Sequence, residues 1–179
     1  MNTQAQRLYD KITEVISRVH FQPGYPSWRE WHDLKLPKQP GASKTTTWCN
    51  EAANAVLVEL GFDTRPILDP KGVGWTGATA MHANAVAAAG VKKVFEVSPA
   101  QAQGWANLYG VPVLAAAKNQ KPGPSHVGIV APTDAAYDAI SGPCVGQAGA
   151  VNGFRSAYDS FTKWGLVELR YFMLPLKTA

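Results

Sequence analysis

Apolar residues recur at helical spacing from the start of the chain. Over residues 2–19, Leu8, Ile12, Val15, Ile16 and Val19 share one face, which predicts an amphipathic helix packed on the domain. The pattern breaks from His20 to Lys44, where Pro23, Pro26, Pro37 and Pro40 with Gly24 and Gly41 mark a long loop. Phe21, Tyr25, Trp28 and Trp31 give that loop enough aromatic area to pin itself to the body or to line a groove. Helical period returns at Cys49, Ala52, Ala53, Val56, Leu57 and Leu60, bounded by the capping threonines Thr45, Thr46 and Thr47 and by Gly61. Residues 62–75 read as irregular. A further helix is expected over 76–89 and a short strand over 91–97. Ser98-Pro99-Ala100-Gln101 then carries a serine cap, a proline at the first position and a glutamine for a capping box, opening a helix to Tyr109 before Gly110.

Beyond Gly110 the period shortens. Strands are expected over 111–117, 125–131, 143–148 and 166–174. In the last, Val167, Leu169, Tyr171 and Met173 alternate with Glu168, Arg170 and Phe172. Helices first and strands afterwards, with short connections, predict an α+β domain on a small antiparallel sheet, not alternating α/β units. There is no internal repeat.

At 179 residues the chain is expected to form one domain with a substantial core. No apolar run suggests a membrane span, and the first twenty residues do not read as a secretory signal. Action outside the cytoplasm would then need release by lysis, a phage or a secretion apparatus. The net charge of +4 suits an anionic partner, but the basic residues are scattered. Nucleic acid is therefore not expected among the partners. Two cysteines without a CxxC make neither a disulfide framework nor a thiol redox motif. The histidines show no metal-ligand spacing, so no metal is expected.

Two constellations compete for the chemistry. Gly72-Val73-Gly74-Trp75-Thr76-Gly77 is a literal GxGxxG, with Glu96 19 residues beyond Gly77, as in dinucleotide-binding units. Its context fails, because Asp69-Pro70-Lys71 precedes it where a buried central strand should end. The other pairs Cys49 with His126. A cysteine at a helix start is stabilised as a thiolate by unpaired N–H groups, and an imidazole beside it makes a nucleophile–base couple. On the strand bearing His126, Gly128 and Val130 share its face, while Val127 and Ile129 face away; Gly128 is expected to clear space beside the imidazole. The histidine needs an orienting third group, and the next strand offers Gln147, with Asn152 as the substitute. Cys144 has the opposite parity to Gln147 and is expected in the core, not bonded to Cys49. His32 and His82 are expected to be bystanders.

Thr-x-Cys-Asn opening a helix, an Ala/Asn-rich middle, Ser125-His126-Val127-Gly128-Ile129-Val130 and a polar residue on the next strand resemble the CHAP-type cysteine, histidine-dependent amidohydrolase/peptidases. The resemblance runs from about Thr45 to Asn152. It implies a papain-like core over 45–179, with residues 1–44 as an N-terminal helix and aromatic loop. It further implies Cys49 as nucleophile, His126 as general base and Gln147 in the orienting position, where that family commonly has Glu or Asn. Trp48, Asn50 and Trp75 become expected groove residues. The implied activity is cleavage of a peptide amide in bacterial peptidoglycan, without metal or organic cofactor, and an inhibitor or immunity protein is a conceivable partner. The rivals are a non-catalytic wall-binding module on the same scaffold, a cysteine hydrolase acting on ordinary proteins or thioesters, and a dinucleotide-binding enzyme using the Gly72–Gly77 loop.

Overall fold

A computed structural model of the protein describes residues 1–18, 49–68, 77–119, 125–149 and 152–178. The chain combines helices with an antiparallel sheet of six strands. In order these are α1 (Thr3–Ser17), α2 (Cys49–Glu59), α3 (Ala78–Gly90), β1 (Phe95–Val97), α4 (Pro99–Tyr109), β2 (Val113–Asn119), β3 (His126–Val130), β4 (Cys144–Gln147), β5 (Gly153–Ser156), α5 (Ala157–Ser160) and β6 (Leu166–Met173). Single 3-10 turns occupy Arg65–Ile67 and Thr162–Trp164. The aromatic loop and the capping threonines expected before Cys49 lie outside the described residues, as do 69–75.

The sheet order is β1-β6-β2-β3-β4-β5, and every pairing is antiparallel. That is not the parallel frame a dinucleotide fingerprint requires. The final strand crosses back to pair with β2, so β2 and β6 lie inside the sheet. From Val113 to Ala117, β2 is entirely buried. A strand covered on both faces must be continuously apolar, and its three alanines keep its profile small on either side.

The helix ends follow local chemistry. Asn2 caps α1 by accepting from the Ala5 N–H at 2.9 Å. At the end of α2, Gly61 adopts φ +86° and lets the Phe62 N–H reach back to Leu57 O at 2.9 Å, a Schellman closure. In α4, Ser98 and Gln101 exchange both bonds of the capping box, at 3.2 and 2.9 Å.

Two expected elements need correction. Only Phe95–Val97 of the 91–97 segment is strand, since the chain turns first, with Lys92 at φ 57°. The alternation read in the last strand is also interrupted. Ala116 pairs with Arg170 but Lys118 with Val167, so Glu168 and Leu169 together oppose Ala117 in a β-bulge. Beyond the bulge Tyr171 and Phe172 are both buried. Strand β5 and helix α5 were not expected from the sequence.

Helix α1 is seated against the sheet by a close approach. A Cβ on Gly146 would lie 2.3 Å from Ile12 Cγ2 and 3.2 Å from the Phe154 ring. Tyr9 stacks on that same ring at 4.5 Å. Lys11 and Glu14 of α1 and its C-cap Arg18 join Glu59 of α2 in an ion network, in which the Arg18 guanidinium holds the Glu59 carboxyl down to about 2. Gly146→Ala is expected to destabilise the fold by about 1–3 kcal/mol through overpacking. In an Ile12→Ala background the same substitution should cost less, a favourable coupling in a double-mutant cycle of denaturant unfolding, because the clash is with the Ile12 Cγ2.

Candidate active site

Cys49 is the first residue of α2, and its apolar stripe points inward. Cys49, Ala52, Ala53, Val56 and Leu57 are all buried, and Leu60 is half-buried. The stripe packs on β3, the strand that begins at His126.

The sheet register explains how the side chains converge. Ile129 pairs with Gly146 and Val130 with Val145, which sets Gln147 opposite Gly128. A Cβ on Gly128 would sit 2.6 Å from Val145 Cγ1 and 3.7 Å from Gln147 Cβ, so Gly128 and Gln147 share a face. The space cleared by this glycine therefore belongs chiefly to β4, not to the imidazole. His126, two residues along, is the diagonal neighbour of Gln147. Its Nε2 lies 2.7 Å from Gln147 Oε1. An amide oxygen only accepts, so Nε2 carries the proton and donates. Cys49 is the other hydrogen-bond partner of the imidazole.

Electrostatics agree with that assignment. Burial alone pushes the imidazole pKa down. The Cys49 charge and the hydrogen bonds from Cys49 and Gln147 outweigh it and hold His126 above its usual 6.5. This raised value favours the folded state fully below about pH 6.5, and the contribution fades as pH climbs through the folded value. Phe161, fully buried, sets its ring 5.2 Å from the imidazole at a 48° tilt. A cavity of about 10 Å³ lies among Cys49, Gln147, Ile12, Ile16 and Gly128. It has room for about one water. The sulfur-bearing residue itself is only 2% exposed, whereas His126 is half-buried.

The remaining candidates separate. Asn152 donates to Ile16 O at 2.9 Å and accepts from the Gly149 N–H at 2.8 Å, so its amide ties a loop to α1. Asn50 is 3% exposed and belongs to the interior beside Cys49, not to an open groove wall. Trp48 and Trp75 lie outside the described residues. Cys144 is a free, half-buried thiol whose pKa burial pushes up. His82 is buried and bonded through Nε2 to Glu168 O at 3.1 Å. Among the described residues, no group of three or more His, Cys, Asp or Glu gathers as a metal site.

Sequence reasoning missed Phe161 and Glu51. Burial pushes Glu51, in the first turn of α2, up to about 7. Its only signal was an acidic residue two positions after the cysteine. Phe161 had none, since no periodic segment contains it.

Substitutions at Gln147 should read the coupling directly. If activity needs the thiolate–imidazolium form, the alkaline limb of the pH–rate profile follows His126 and lies above 6.5. Gln147→Ala removes a bond that favours the imidazolium and should move that limb down, while Gln147→Glu places a carboxylate there and should move it up.

No family model matches the chain, and no curated protein matches it.

Proposed function

We propose that this protein is a cysteine amidase or endopeptidase with a papain-like core, cleaving an amide bond in a bacterial cell-wall peptide. The observation that carries the reading is one imidazole shared between a cysteine at a helix head and an amide oxygen on the neighbouring strand. In this mechanism the Cys49 thiolate attacks the carbonyl carbon, and the Cys49 backbone N–H helps hold the oxyanion. The imidazolium of His126 then gives its Nδ1 proton to the leaving amine, and a thioester forms. A water deprotonated by His126 releases the acid and regenerates the thiol. Gln147 keeps the proton on Nε2 and the ring in plane throughout.

The wall as substrate rests on the family resemblance of Thr45 to Asn152. The net charge of +4 would help retain the enzyme on an anionic polymer. Trp48 and Trp75 are the proposed groove aromatics. Lysis, a phage or a secretion apparatus is the proposed route to the wall, where an inhibitor or immunity protein would be the natural regulator. No helix among the described residues is long and apolar enough to cross a membrane.

The test is incubation of purified sacculi with the protein, followed by mass analysis of released fragments. New amino termini identify the bond; intact sacculi overturn the wall reading. The 2% exposure of Cys49 favours a second reading, a non-catalytic wall-binding module on the same scaffold. Native alkylation by iodoacetamide separates the two, because a substrate cannot reach a sulfur that this small reagent cannot.

A further inference from the structure

Helix α3 carries two side chains that grip the sheet on either side of the strand pair bearing His126. One is His82, 4% exposed, whose Nε2 lies 3.1 Å from the carbonyl oxygen of Glu168. The other is Thr79, three residues earlier on the helix, whose Oγ1 donates to Ser125 Oγ at 2.9 Å. Ser125 is itself 4% exposed and directly precedes His126. Residues three apart on a helix lie on one face, so a single surface makes both bonds.

Glu168 is an unusual place for such a bond. It holds φ 51°, a left-handed conformation that a non-glycine residue adopts at a cost. It is also half of the bulge in β6, where Glu168 and Leu169 oppose Ala117 alone. Ala117 pairs on its other side with His126. The strained residue, the bulge and the histidine therefore form one row across three strands. Bulges re-aim neighbouring side chains, and a strained conformation persists only where its surroundings hold it.

We infer that His82 and Thr79 are positioning residues that together fix the row Glu168–Ala117–His126 and thereby the aim of the imidazole at Cys49. His82 acts from the β6 side by donating to the bulge carbonyl. Thr79 acts from the β3 side by holding the serine next to the histidine. The inference rests on the Cys49–His126 couple of the proposed function but is indifferent to the substrate.

The experiment uses the full chain with His82→Leu, His82→Gln and Thr79→Val. The readouts are the NMR titration midpoint of His126, assigned by its loss in His126→Asn, and the iodoacetamide rate of Cys49 at pH 6. The groups facing the imidazole among the described residues are Cys49, Gln147 and Phe161, so movement of its midpoint reports on that contact set. His82→Leu and Thr79→Val should each move the midpoint toward 6.5 and slow alkylation by about 2- to 10-fold, the scale of one lost hydrogen bond. His82→Gln retains a donor and should stay close to wild type. Wild-type midpoints and rates in folded His82→Leu and Thr79→Val overturn the inference. If His82→Leu does not fold, Thr79→Val decides alone. Sacculi left intact by a wild-type protein that shows these shifts would defeat the substrate and leave the positioning role standing.

Discussion

Cys49→Ala should abolish release of cell-wall fragments, and His126→Ala should lower it by about 10³-fold or more. In the proposed mechanism the cysteine carries the bond to substrate, so no other group can replace its sulfur. In the same mechanism the histidine has two roles, forming the thiolate and protonating the leaving amine. Without it, Cys49 loses the cation that favours its thiolate, and burial favours the neutral thiol. His126→Ala should therefore regain part of its alkylation rate as pH rises, whereas Cys49→Ala regains nothing. Neither change removes much buried volume at the sulfur, and α2 keeps the rest of its stripe, so both variants should retain the fold. A wall-binding module would show the opposite pattern: equal binding by wild type and Cys49→Ala, with no fragments from either.

The geometry behind this expectation was readable in the sequence where two periods were clean. The stripe Cys49 to Leu57 placed the cysteine on the buried side of its helix, and strand parity put Gly128 with His126. Gln147 was reachable because β3 and β4 are consecutive strands that pair, and a residue on the adjacent strand can lie diagonally from the histidine. Parity did not reveal the bulge at Glu168, because an inserted residue leaves the apolar letters almost unchanged while shifting every later side chain. Strand β5 escaped for another reason. Gly153-Phe154-Arg155-Ser156 has one large apolar residue, and its strand character comes from pairing with β4 and from the Tyr9 stack. Asn152 looked as suitable as Gln147 by residue type alone. Only the fold shows its amide committed to Ile16 and Gly149. Contacts between residues distant in sequence, such as His126 with Phe161, leave no periodic trace.

That last contact supports the other large effect. Phe161→Ala should destabilise the protein by about 3–5 kcal/mol, since the ring is completely buried and its removal leaves a cavity. The loss should not stop at stability. The ring stands 5.2 Å from the imidazole, on a residue that follows α5 directly. An emptied site there admits water beside the imidazole, and hydration favours its charged form. Phe161→Leu refills most of the volume without restoring the flat face. It should recover much of the stability in denaturant unfolding, while any water still admitted beside the ring relieves the burial that lowers the His126 pKa and moves its titration midpoint up from the wild-type value. Equal midpoints in Phe161→Leu and wild type would restrict the phenylalanine to packing. A raised midpoint in a stable variant would instead show that the ring keeps water from the imidazole and so restrains its pKa.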